Sequence, residues 1–203
     1  MKYQKEFIQC LFATFCVAIG ICLYADCQLG ADSLTVFLDG MNKTTHLSIS
    51  FIDQFLIIIM LSMAYFINKQ HIGISTIIHT ITIGLFILLA SFLISPLELT
   101  KQPFMIKLIG ILFAELSFAF GFALMQKFTF GMATTDAFIY GLVEKTHLSY
   151  IQIHFIFDIF FFTIGFLLGG TIGIGSILYV LTSGWLTYRI KSIIDKLLKQ
   201  DEM

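Results

Sequence analysis

Apolar residues fall into six runs along this chain, at 7–25, 49–67, 73–95, 104–126, 149–169 and 173–190. Each is close to the roughly 20 residues that an α-helix needs to cross about 30 Å of hydrocarbon. None alternates polar and apolar positions with a period of two, so helices are expected rather than barrel strands. The breaks carry turn and polar residues: Asn68-Lys69-Gln70-His71, Ser95-Pro96 through Pro103, and Gly169-Gly170-Thr171. Two shorter apolar stretches, 31–41 and 132–143, lie between the first and second runs and between the fourth and fifth. At about 10–14 residues such stretches are too short to span, and suit either re-entrant half-helices or amphipathic helices lying flat at the interface. Each follows a glycine, Gly30 or Gly131, and holds another near its end, Gly40 or Gly141. Asp32-Ser33 and Thr134-Thr135-Asp136 are residue types that favour helix N-termini. Half-helices dipping in from opposite faces would aim their positive ends at an anionic group.

The pattern repeats. Residues 11–48 align without a gap to 112–149, with thirteen identities in 38 positions, where chance in so skewed a composition gives about three. Leu11-Phe12-Ala13 meets Leu112-Phe113-Ala114, and Ala18, Gly20 and Leu23 meet Ala119, Gly121 and Leu124. Gly30, Phe37 and Gly40 meet Gly131, Phe138 and Gly141, and Thr45-His46-Leu47-Ser48 meets Thr146-His147-Leu148-Ser149. After a one-residue slip, Gly73-Ile74, Ile77, Thr82 and Gly84 match Gly173-Ile174, Ile177, Thr182 and Gly184. Three spans per copy, an odd number, start the second copy from the opposite side. The expected fold is therefore all-α: a single polytopic membrane domain of six transmembrane helices in two inverted three-helix repeats, each with a short half-helix. The first repeat covers 7–95, the second 104–190, and a charged amphipathic tail 191–203 follows. Inverted repeats characterise secondary transporters, although channels and non-transporting proteins carry them too.

Composition agrees with a lipid solvent. The 203 residues are 58% hydrophobic and 12% charged, with a mean hydropathy of +0.91, against about 25% charged in a soluble domain. The net charge of −1 leaves no basic face for nucleic acid, so membrane lipid is the main expected contact. Nine Lys and Arg residues fall on the side of the N-terminus and only Lys43, Lys101 and Lys107 on the other. That asymmetry predicts both termini in the cytoplasm. The start of the chain has the look of a signal peptide, but Asp26 before Cys27 does not suit cleavage and the segment recurs in the second repeat. Cys10, Cys16, Cys22 and Cys27 lie within or beside the first apolar run, too far apart on a helix to bond. No Cys/His cluster suggests a metal, and no cofactor is expected.

The order and spacing of the glycine motifs carry a resemblance. Gly30-Ala31-Asp32-Ser33-Leu34 followed by Gly40, Gly73-Ile74-Ser75-Thr76, Gly131 to Asp136 followed by Gly141, and Gly169-Gly170-Thr171-Ile172-Gly173-Ile174-Gly175-Ser176 resemble the YczE/YyaS/YitT-type bacterial membrane proteins, closest to the YczE-like branch. The resemblance covers almost the whole chain. It implies a small multi-pass protein of the bacterial cytoplasmic membrane, transporter-like and without a defined substrate.

Ionisable residues at membrane depth are the candidate functional groups, since inserting each costs about 2.5–3.5 kcal/mol or more. Glu115 is the deepest, midway along the fourth run, and its counterpart in the first repeat is Thr14. A carboxyl there could couple proton movement to transport, or hold helices together by a hydrogen bond. Asp158 lies mid-way along the fifth run, Asp53 near the start of the second, and His79 within the third. Gly170, Gly173 and Gly175 permit a tight turn with close helix packing. No nucleophile, base and oxyanion set assembles, so no enzyme is expected. The leading expectation is a secondary transporter or exporter of an apolar or amphiphilic solute, possible as a homodimer, with its site near Glu115 and Asp158. The alternatives are a substrate-capture or accessory subunit of a larger transporter, and a non-transporting scaffold or regulator.

Overall fold

A computed structural model describes residues 2–127 and 130–200. Among them are eight α-helices and no strands: α1 (Lys2–Cys27), α2 (Ser33–Thr45), α3 (Ile49–Asn68), α4 (Ile74–Ile94), α5 (Phe104–Met125), α6 (Thr134–Lys145), α7 (Tyr150–Leu167) and α8 (Ile174–Gln200). Short 3₁₀ turns at 69–71, 95–97 and 99–101 fill the connections. The order long, short, long, long occurs twice. α2 and α6 begin at aligned positions, as do α3 and α7, and α4 and α8.

The repeated Thr-His-Leu-Ser explains one of these matches. Ser48 and Ser149 each cap the following helix, accepting from the backbone N–H three residues on, which satisfies a donor that the first turn leaves open. Five helices, α1, α3, α4, α5 and α7, are long and apolar enough to cross a membrane. The expected sixth span, 173–190, is the front of α8, a helix diluted by Ser176, Thr182, Ser183, Thr187 and Arg189. Ser176, Ser183 and Thr187 are buried, so these three hydroxyls face the protein interior. α8 also runs on to Gln200 without a break at 190; no glycine or proline occurs after Gly184 to stop it. The last three residues of the expected tail lie outside the described ones.

α1 and α5 form the central seam. Ala13, Ala18 and Gly20 on one helix and Ala114, Ala119 and Gly121 on the other let the backbones approach, Gly20 beside Phe118 and Gly121 beside Val17. Small residues serve this purpose where no hydrophobic force drives association. α4 packs on α1 and α8 on α5. The short helices cross between halves, α2 against α7 and α6 against α3, and Val36, Ile139 and Ala137 on them are buried. α3 and α4 are the outer helices: Ile81, Leu88 and Phe92 stand exposed on α4 and Phe55 and Phe66 on α3, an apolar surface suited to lipid. The four cysteines are free and buried in the α1 interfaces.

Candidate functional site

The start of each short helix is held by a glycine in a conformation other residues rarely adopt. Gly30 has φ 104° and Gly131 φ 112°, in the left-handed range that glycine enters without penalty. A side chain on Gly30 would overlap Ser176, and one on Gly131 would overlap Gly73. The residue before each glycine reaches the other half: Gly175 N–H donates to the Leu29 carbonyl at 2.7 Å, and Ser75 N–H to that of Phe130 at 2.9 Å. The turn glycines Gly170, Gly173 and Gly175 abut the backbone of Val36 and Leu29, so they serve the same crossing.

These two clasps direct the first turns of α2 and α6 into one cavity of about 200 Å³. Asp32, Ser33, Thr134 and Asp136 line it, joined by Asp53 from α3, His79 from α4 and His154 and Asp158 from α7. Its apolar wall includes Leu56, Ile57, Met60, Phe118 and Phe122. Eight polar groups from five helices thus meet within walls that are otherwise mostly apolar.

Asp158 is the most heavily bonded of them. Ser33 donates to its Oδ1, while Ser183 at 2.7 Å and His154 Nδ1 at 2.9 Å reach Oδ2. One carboxylate thereby ties α2, α7 and α8, with little room for solvent at 1% exposure. Asp136 accepts from Gln126 and from Tyr150, both at 3.0 Å. Its bonds continue outward, since Tyr140 donates to Gln126 at 3.0 Å and Lys191 donates to Tyr140 at 2.7 Å. Asp32 caps its own helix, accepting from Thr35 N–H at 3.1 Å and Thr35 Oγ1 at 2.6 Å. His79 Nδ1 lies 3.0 Å from Thr14 Oγ1, whose proton goes to the Cys10 carbonyl; His79 is therefore the donor in that pair.

Glu115 does not line the cavity. Its side chain turns into the α1–α5–α8 core, where Tyr24 donates to Oε2 and Thr182 to Oε1 at 2.9 Å. Tyr24, Phe118 and Tyr179, with ring centroids 5.8–6.1 Å apart, stand between it and the cavity. Glu115 is thus not one of the residues that line the cavity with Asp158, although the two are near enough to act on each other through charge. His154 is the cavity residue that the sequence reading passed over. Its signal was its spacing, four residues before Asp158 on an apolar helix, which places both on one face.

A model of the family of unknown function DUF6198 matches residues 4–192. The chain belongs to that family. The DUF6198 match takes in every residue of the cavity. An uncharacterised protein of Haemophilus influenzae is 28% identical over 187 residues, which cover 92% of this chain and 84% of the relative. No solved structure matches the chain.

Proposed function

We propose that this DUF6198 protein is a small secondary transporter that carries an amphiphilic solute through the cavity between its two halves, coupled to protons. In this reading α8 is the sixth span and the halves are inverted copies in the bacterial cytoplasmic membrane, with both termini in the cytoplasm. The resemblance to YczE-like proteins belongs to the same reading. The observation that carries it is the convergence of two short helices from aligned positions on one polar cavity, the arrangement that discontinuous helices make in transporters of inverted repeats. The crossed clasps support it: each half grips the other near the cavity through a few backbone contacts, where one half could rock against its partner. Intramembrane carboxylates that face a cavity are the usual carriers of proton coupling.

The test is uptake of a metabolite mixture into proteoliposomes under an imposed proton gradient. Accumulation that collapses in a folded Asp158→Asn variant is expected. A folded wild-type protein that moves nothing would overturn the proposal in favour of an accessory or scaffold role.

A further inference from the structure

The two halves treat their equivalent helix starts differently. Ser33 begins α2 and Thr134, its aligned counterpart, begins α6. Ser33 has a partner in Asp158. The position that aligns with Asp158 in the first repeat is Ile57, which cannot accept a hydrogen bond. Thr134 is 5% exposed and lines the cavity, and its Oγ1 has no hydrogen-bond partner among the described residues. A buried hydroxyl left this way costs about 1–3 kcal/mol, so its persistence calls for a group that completes it. On α3, the helix that packs against α6, Asp53 lines the same cavity, and its carboxylate has no hydrogen-bond partner among the described residues. Its aligned counterpart is His154, which is bonded to Asp158.

The completing group is defined by charge. Among the described residues four carboxylates, those of Asp32, Asp53, Asp136 and Asp158, line the cavity, and no lysine or arginine does. An anion would meet repulsion there: the Asp32 carboxylate already caps the start of α2, and Asp136 puts a second carboxyl in the first turn of α6. Among the described residues no group of three His, Cys, Asp or Glu is close enough to hold a metal ion. The walls are mostly apolar, and 200 Å³ is below the roughly 300–1,000 Å³ of drug-sized sites.

We infer that the cavity takes a small organic cation, an aliphatic ammonium ion whose charged head is held by Asp53 and Thr134 while its alkyl part lies against Leu56, Ile57 and Met60. This deepens the transport proposal and rests on it for the direction of movement, though not for binding. The ammonium N–H groups supply donors to the Thr134 oxygen and to the Asp53 carboxylate, neither of which has one among the described residues.

The decisive experiment is calorimetric titration of the full chain in lipid nanodiscs. The probes are propyl-, butyl-, pentyl- and tetramethylammonium, with butanol and butyrate as neutral and anionic controls. Saturable binding of at least one ammonium ion, and of neither control, is expected. Asp53→Asn and Thr134→Val should each weaken that binding about tenfold, while Glu98→Gln, on an exposed turn, leaves it unchanged. Among the described residues neither cavity substitution breaks a side-chain hydrogen bond, so folded variants are expected and size-exclusion profiles verify them. Butyrate binding more tightly than every ammonium ion, or no ammonium ion binding to folded wild type, would overturn the inference. Ammonium binding without flux in proteoliposomes defeats the transport proposal alone; butyrate flux without ammonium binding defeats the cation site alone.

Discussion

Glu115 and Asp158 look alike in the chain, single carboxyls midway along apolar helices, and the fold gives them different surroundings. Asp158 faces the cavity and gathers donors from three helices. Glu115 is enclosed in the seam of α1, α5 and α8, bonded to Tyr24 and Thr182 behind a layer of aromatic rings. A carboxyl midway along an apolar helix is costly wherever that helix lies in lipid; the two differ in what they face.

The largest expected effect is at Asp158. Asp158→Ala leaves His154, Ser33 and Ser183 without an acceptor in the interior and should cost about 3–5 kcal/mol, measured by reversible unfolding in mixed micelles. A cost smaller than that of Glu115→Ala would break the comparison. Glu115→Gln keeps the shape and a hydrogen-bonding group, so a loss of about 1–2 kcal/mol is expected, with ammonium affinity in the cavity unchanged. A change in that affinity would show that the aromatic layer does not insulate Glu115. Next comes the contrast between the two helix starts. Ser33→Ala should cost about 1 kcal/mol, whereas Thr134→Val removes an unpartnered hydroxyl and should be neutral or slightly stabilising in the absence of a cation. Thr134→Val that destabilises as much as Ser33→Ala would mean that its hydroxyl has a structural partner after all.

The smallest effect belongs to the Asp39–Lys43 pair at the far end of α2, a contrast in exposure with both buried acids. Lys43 donates to Asp39 at 2.8 Å and to Thr171 at 2.8 Å, and Thr171 N–H donates to Asp39 at 2.7 Å. Burial pushes the Asp39 carboxyl up, but Lys43 and the Thr171 contacts outweigh it and hold the carboxyl below its usual range. A lowered value in the folded state means stability that is present above the unfolded value and lost as pH falls through the folded one. At this exposed site the contribution should be only about a few tenths of a kcal/mol, fading below about pH 4. Comparing unfolding of wild type and Asp39→Asn across that range checks it; a difference that grows at higher salt would contradict an ionic origin.

Much of the architecture was readable from residue pattern because the chain states it twice. The aligned Ser48 and Ser149, Gly30 and Gly131, and Gly73 and Gly173 mark helix starts and turns, and the helices begin there. The small residues shared by the first and fourth runs were also visible as identities, without revealing that α1 and α5 face each other. The site was legible in part. Asp32, Ser33, Asp53, His79, Thr134, Asp136 and Asp158 were all singled out, yet nothing local says that they converge, because convergence depends on α2 crossing to α7 and α6 to α3. The partners of Glu115 were not legible, because the rotational setting of α5 is fixed by Gly20, Gly121 and Tyr24, contacts between distant segments. α8 carries the sixth apolar run and most of the charged tail as one helix, since a helix continues through charged residues when no breaker intervenes.

The crossed clasps also constrain how the chain can be made. Leu29 waits for Gly175, and α2 waits for α7, so the first half leaves the ribosome with its short helix lacking its main packing partner until α7 and the start of α8 have been synthesised. Its polar first turn must be sheltered during that interval, by the insertion machinery or by water at the membrane surface. Assembly of the cavity is then a late event, completed when the start of α8 arrives and closes both halves together.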